Sequence, residues 1–172
     1  MIGIQRIALI SLLATGLVMS GFSGGEALAK GNKSIVTVKA NGKRFKTSKR
    51  TAPTASYQNL TGLLIVTCGS QKASIRSVSI KTLTFSTQVG LTTLPVTVPV
   101  ATALYSDNTY HGISGPGAPK SWTGEGLTVT ITKFDGARIA GTFEGTLPPG
   151  GGGVTTPATF EKGKFDLPVI VQ

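Results

Sequence analysis

His111 is the only histidine and Cys68 the only cysteine in this chain of 172 residues. A single imidazole cannot build a multi-histidine metal site. It could serve a nucleophile only if the fold brought it to Cys68 or to a serine. Cys68 ends the apolar run Leu63-Leu64-Ile65-Val66-Thr67-Cys68. A thiol in such surroundings stays protonated and packs as a small hydrophobe. Six carboxylates follow residue 29, namely Asp107, Glu125, Asp135, Glu144, Glu161 and Asp166. A pair of them could run glycoside hydrolysis, but each has a simpler role. Asp107-Asn108 and Asp135-Gly136 read as turns, and Glu144 lies on a polar strand face between Thr142 and Thr146. Calcium takes roughly 6–8 oxygens, more than Asp107-Asn108 offers. The glycine-rich stretches 112–117 and 150–153 lack the strand-to-helix grammar of a phosphate loop. These residues predict no enzyme, no catalytic or metal site and no cofactor.

Charge is the stronger signal. Of the 17 Lys and Arg, 16 lie beyond residue 29, against 6 of the 7 Asp and Glu. Eight basic residues fall between Lys30 and Arg50 with no acid among them. Lys39, Lys43, Arg44, Lys46, Lys49 and Arg50 are therefore the candidate ligand-binding residues. Trp122, with Tyr105 and Tyr110 near it in sequence, adds a candidate surface for stacking a sugar ring. A field of this sign favours anionic partners such as an acidic polysaccharide or the cell-envelope surface. Only Phe45 and Tyr57 lie near the cluster as aromatics, so nucleic acid would bind non-specifically. The competing reading is a solvated basic face.

These side chains need strands to hold them. Ser34–Lys39 and Lys43–Thr47 flank Asn41-Gly42, the strongest short hairpin signal, because both turn positions need φ > 0. Residues 51–56 contain Pro53 and read as a loop. Thr61–Cys68 reads as a strand buried on both faces. Gly69-Ser70 predicts a turn into a strand over 73–80. Lys81–Thr87 alternates, with Leu83 and Phe85 on one face. Pro95 and Pro99 bracket Val96-Thr97-Val98 as an edge strand. Asp107-Asn108 predicts a third hairpin, between Val100–Tyr105 and Thr109–Ile113. Farther on, Leu127, Val129 and Ile131 share a face, as do Ile139, Gly141, Phe143, Gly145 and Leu147, and Phe165, Leu167 and Val169. One apolar and one polar face per strand predicts an all-β domain, a single antiparallel sandwich or partly open barrel. Residues 148–153 read as a loop.

The first 29 residues set the compartment. Arg6 precedes the uncharged, mostly apolar run Ile7–Phe22, and a small-residue segment ends in Ala27-Leu28-Ala29. That order predicts a cleaved secretory signal peptide over 1–29 and a single domain over 30–172. The run is too short and too diluted for a membrane span. The expected location is secreted, periplasmic or at the cell surface. One cysteine permits no intrachain disulfide, so a core must carry the domain.

The stretch Val36-Thr37-Val38-Lys39-Ala40-Asn41-Gly42-Lys43-Arg44-Phe45 resembles the opening of a group of uncharacterised secreted bacterial β-domain proteins. The closing motifs do too: Leu127-Thr128-Val129-Thr130-Ile131-Thr132-Lys133-Phe134-Asp135, Gly141-Thr142-Phe143-Glu144-Gly145-Thr146-Leu147 and Gly163-Lys164-Phe165-Asp166. The resemblance implies a β fold and lends no catalytic residues. Members often carry a lipid-anchor cysteine, which this chain lacks, favouring free secretion. Two functions are expected. One is a secreted non-catalytic binding module for an anionic or glycan ligand. The other is a structural subunit of the envelope or of an extracellular fibre, self-associating through strand edges.

Overall fold

A computed structural model of the chain describes residues 34–47, 52–74, 77–111 and 119–172. Lys49, Arg50 and the predicted signal peptide lie outside them. No helix occurs among the described residues, and thus none is long and apolar enough to cross a membrane.

Strands β1 (Ile35–Ala40) and β2 (Lys43–Lys46) form the predicted hairpin. Asn41 and Gly42 take φ of 51° and 73°, as a two-residue turn with primed geometry demands. The Asn41 backbone N–H donates to Thr159 O at 2.8 Å, and Asn41 Oδ1 accepts from the Thr159 N–H at 2.8 Å. The hairpin tip is thereby tied to the chain's last strand.

Strands β3 (Thr54–Gln58), β4 (Leu63–Ala73), β5 (Ser77–Gln88) and β6 (Val96–Pro99) follow. Next come β7 (Thr102–His111), β8 (Lys120–Gly124) and β9 (Leu127–Phe134). Last are β10 (Arg138–Leu147), β11 (Pro149–Gly151) and β12 (Ala158–Val171). Their order across the sheet is β11-β8-β7-β5-β4-β3-β12-β10-β9-β6, with β1 on β12 and β2 on β1. Pairing is antiparallel as expected, except that β12 meets β3 in parallel through Val169, Ile170 and Val171. The long β12 makes this possible. It pairs with β1 and β10 along most of its length and has its final residues left for β3.

The sheet curls into an open half-barrel. Phe85 of β5 lies 5.5 Å from Phe143 of β10 and 6.2 Å from Phe165 of β12, ring centre to ring centre. Tyr105 of β7 meets Phe160 of β12 edge-on at 5.2 Å. Each of these ring contacts joins two strands that are not neighbours in the sheet, so the curl itself brings their inner faces together. The predicted facing is observed. Leu127, Val129, Ile131, Ile139, Phe143, Leu147, Phe165 and Leu167 are buried, whereas Thr142, Glu144 and Thr146 are exposed. Gly163 faces the Phe143 ring so closely that a Cβ there would lie 2.8 Å from its Cδ1.

The predicted turn at Asp135-Gly136 also forms. Asp135 Oδ1 accepts from the N–H groups of Arg138 at 2.7 Å and Ala137 at 3.1 Å. The Arg138 N–H, then Lys133, then the Ala137 N–H hold the Asp135 carboxyl below its ordinary range. A folded pKa lowered in this way gives stability above the unfolded pKa, which is lost as pH falls through the folded one.

Other local readings are corrected. Pro53 does not prevent β3, because it stands ahead of the strand, where its missing N–H breaks no ladder bond. β4 is buried on one face only. Leu64, Val66 and Cys68 point in, while Ile65 and Thr67 are exposed. Gly69-Ser70 is not a turn. The ladder continues through Gly69 opposite Thr82 and Ser70 opposite Lys81, as far as Ala73 opposite Val78. Asp107-Asn108 is likewise mid-strand in β7, opposite Lys81 and Ile80. Residues 149–151 form the short edge strand β11 rather than a loop.

Candidate functional site

Towards one rim of the half-barrel the inner face turns from apolar to charged. The row Cys68–Leu83–Tyr105–Trp122 is core. The next row out is Ser70–Lys81–Asp107–Lys120, on β4, β5, β7 and β8. Beyond it Lys72 pairs with Ser79. Strands about 4.8 Å apart make the four-residue row about 14 Å long.

The tip of the β1–β2 hairpin stands across from this row. Two adjoining hollows of about 120 and 360 Å³ lie between them. Both are bordered by Ala40, Lys43, Lys81 and Tyr105. The smaller one extends to Arg44, Ser70, Lys72 and Ser79. The larger one reaches Asn41, Asp107, Lys120, Trp122 and the segment 153–156. Together they form a groove lined by five cations and one carboxylate.

That carboxylate is already engaged. Lys81 Nζ donates to Asp107 Oδ2 at 2.5 Å, with the two side chains 30% and 24% exposed. Burial works against the Lys81 charge, but the hydrogen bond to Asp107 and the Asp107 charge outweigh it. The net shift is upward, so Lys81 is a cation throughout the neutral range. Burial, foremost, also pushes Tyr105 up. Its hydroxyl keeps its proton and can donate.

The ion pairs among the described residues use Lys81, Lys133 and Arg138. Lys43, Arg44, Lys72 and Lys120 thus have no carboxylate partner among the described residues. A recess walled by unneutralised charge of one sign concentrates the field and attracts anions. Ser70, Ser79, Asn41, Thr155 and Thr156 add hydroxyl and amide groups along it.

Of the predicted binding residues, Lys43 and Arg44 line the groove, and Trp122 belongs to its floor. The Trp122 ring is 6% exposed and lies 5.2 Å from the Tyr105 ring, and its Nε1–H donates to Thr156 O at 2.8 Å. Its stacking partner is therefore Tyr105. Lys39 and Lys46 are exposed on the outer face of the hairpin, where Arg44 also starts, opposite Lys39, before bordering the groove at the free edge of β2. Lys49 and Arg50 lie outside the described residues. Sequence reading missed Lys72, Lys81, Asp107 and Lys120. The one signal was the apolar–polar alternation of β5 carried back to Lys81, which puts a lysine on the core-facing side.

Cys68 is 1% exposed. Burial, slightly offset by a hydrogen bond with the Leu83 backbone, pushes its thiol up to about 12. Native protein near pH 8 is expected to resist a thiol-reactive dye and to react fully once denatured. Rapid labelling of the native state would show an accessible thiolate instead. Among the described residues no three His, Cys, Asp or Glu side chains converge as a metal cluster would require.

No protein-family model, curated protein or solved structure matches this chain.

Proposed function

We propose that the protein is a secreted, non-catalytic binding module whose ligand is anionic or a glycan, held in the groove at the rim of a partly open β-barrel. One observation carries this reading. Lys43, Arg44, Lys72 and Lys120 converge on one recess without carboxylate partners among the described residues, beside hydroxyl and amide groups. The charged start, apolar run and small-residue end of residues 1–29 support export. An envelope polysaccharide is then the natural partner.

The edges of the sheet argue against assembly through strands. β6 begins next to Pro95 and ends on Pro99, β2 carries Lys43, Arg44 and Lys46, and β11 is three residues long. Proline, charge and shortness are the usual devices that keep an edge from recruiting another chain.

The test is binding to immobilised heparin as a stand-in polyanion, for the parent and for Lys43→Ser/Lys72→Ser/Lys120→Ser. The variant is expected to bind at least about tenfold more weakly, about 1.4 kcal/mol. Its stability should change by no more than about 0.5 kcal/mol for each exposed substitution. Parent binding should fall steeply with salt, because the attraction is screened and counterions are released. Equal binding by parent and variant would remove the groove as the site.

A further inference from the structure

The cations do not stop at the groove. On the other face of the β1–β2 hairpin, a second cleft is bordered by Thr37, Val38, Lys39, Arg44, Lys162 and Lys164. It contains four cations and no carboxylate. Arg44, on edge strand β2, which pairs only with β1, borders both recesses. The result is one basic belt that runs from Lys120 and Lys81 past Lys43, over the hairpin edge at Arg44, and down to Lys162 and Lys164.

A backbone irregularity shapes the far end of this belt. The ladder between β1 and β12 shifts register between Thr37, opposite Lys164, and Lys39, opposite Glu161. At the shift Lys162 takes a φ of 53°, a left-handed conformation that a side chain normally avoids. The strand changes phase there. Phe160 is buried before it and Gly163 and Phe165 after it, so Glu161 and Lys162 both face solvent. A glycine would suit this backbone better, yet a lysine occupies it. Bulges of this kind re-aim side chains next to the ladder they interrupt.

Resting on the binding function proposed above, we infer that the ligand is an extended acidic polysaccharide, and that one chain of it crosses the hairpin edge to occupy the groove and the outer cleft together. The two recesses open on opposite faces of one hairpin. A flat anionic membrane cannot reach both, whereas a flexible chain can. The groups between the cations are hydroxyls and an amide, Thr37, Asn41, Ser79, Thr155 and Thr156, which suit sugar hydroxyls. Single-stranded nucleic acid would gain further affinity only from open ring faces on which its bases could stack. The aromatic rings at the groove, Tyr105 and Trp122, are buried and packed on each other.

The experiment compares a heparin disaccharide with a heparin chain of about ten sugar units, long enough to engage both recesses and gain from linked contacts. Parent protein is expected to bind the long chain at least about tenfold more tightly per chain, with a steeper salt dependence. The variant Lys39→Ser/Lys162→Gly/Lys164→Ser should lose that gain while keeping its affinity for the disaccharide. Lys162→Gly alone should raise the melting temperature as it weakens the long chain, which separates a binding defect from unfolding. A length gain that survives in the triple variant would overturn the belt and leave the groove standing. Equal or tighter binding of a single-stranded oligonucleotide of matched charge, or of phosphatidylserine vesicles, would overturn the polysaccharide assignment. If parent protein binds neither heparin species, the belt and the groove reading fail together.

Discussion

Replacing Phe143 by alanine is expected to cost about 3–5 kcal/mol of stability, in the range for truncating a buried aromatic ring. Phe143 is 2% exposed and sits where the curl closes. Its ring lies 5.5 Å from Phe85 and 6.5 Å from Phe165, and the chain of Gly163 passes against it. The cavity cannot collapse easily, because its walls are strands of two different parts of the sheet. Glu144, the next residue, points outward from the same strand and makes no ion pair among the described residues. Glu144→Ala should stay within about 0.5 kcal/mol. Chemical denaturation of the two variants checks both numbers. Similar losses at both positions would mean that β10 presents a different face to the core.

Trp122→Ala should be comparably severe, about 3–5 kcal/mol. The indole fills the end of the core row beside Tyr105, and its N–H anchors the segment 153–156 through Thr156 O. Trp122→Phe separates the two contributions. It retains a ring against Tyr105 and removes only the donor, so it should cost far less, about 0.5–1.5 kcal/mol for the hydrogen bond plus a partial packing loss. If alanine and phenylalanine were equally damaging, the hydrogen bond to Thr156 would outweigh the stacking. If neither mattered, Trp122 would not be part of the core. The second outcome would restore it as a free surface for a sugar ring.

What the sequence made legible depended on how local the rule was. Asn41-Gly42 announces a hairpin because the turn's own dihedral angles demand those residues, and it forms as read. The strict alternation of β9, β10 and β12 assigned faces correctly, since each strand buries one side. Gly69-Ser70 and Asp107-Asn108 carry turn chemistry as well, yet the ladder runs straight through them. A residue that permits a turn does not force one when strands of 11 and 12 residues have partners along their whole length. Asp107 shows why mid-strand placement is tolerable. Lys81 directly opposite neutralises it.

The groove was half visible. Lys43 and Arg44 belong to a dense run that attracts notice. Lys72, Lys81 and Lys120 are scattered along the sequence, and only register sets Lys81, Asp107 and Lys120 side by side. The outer cleft was less legible still. Its shape depends on a register shift and a left-handed Lys162, and no residue type there announces either.

The position of β12 decides how the molecule can be made. This strand touches β1, β3 and β10, yet it follows all three in the chain. Val36 must find Phe165, and Ala55 must find Val169, across most of the described sequence. The contacts that join the two sides of the sheet are therefore the most distant ones, and contacts of that kind close slowly. A growing chain cannot complete this architecture from its N-terminus forward. Until residues 158–171 arrive, β1 and β3 lack the strand that links them, and the inner faces of β4 and β5 lack their cover. The curl of the sheet therefore closes only once this last strand is in place, whichever hairpins have formed before it.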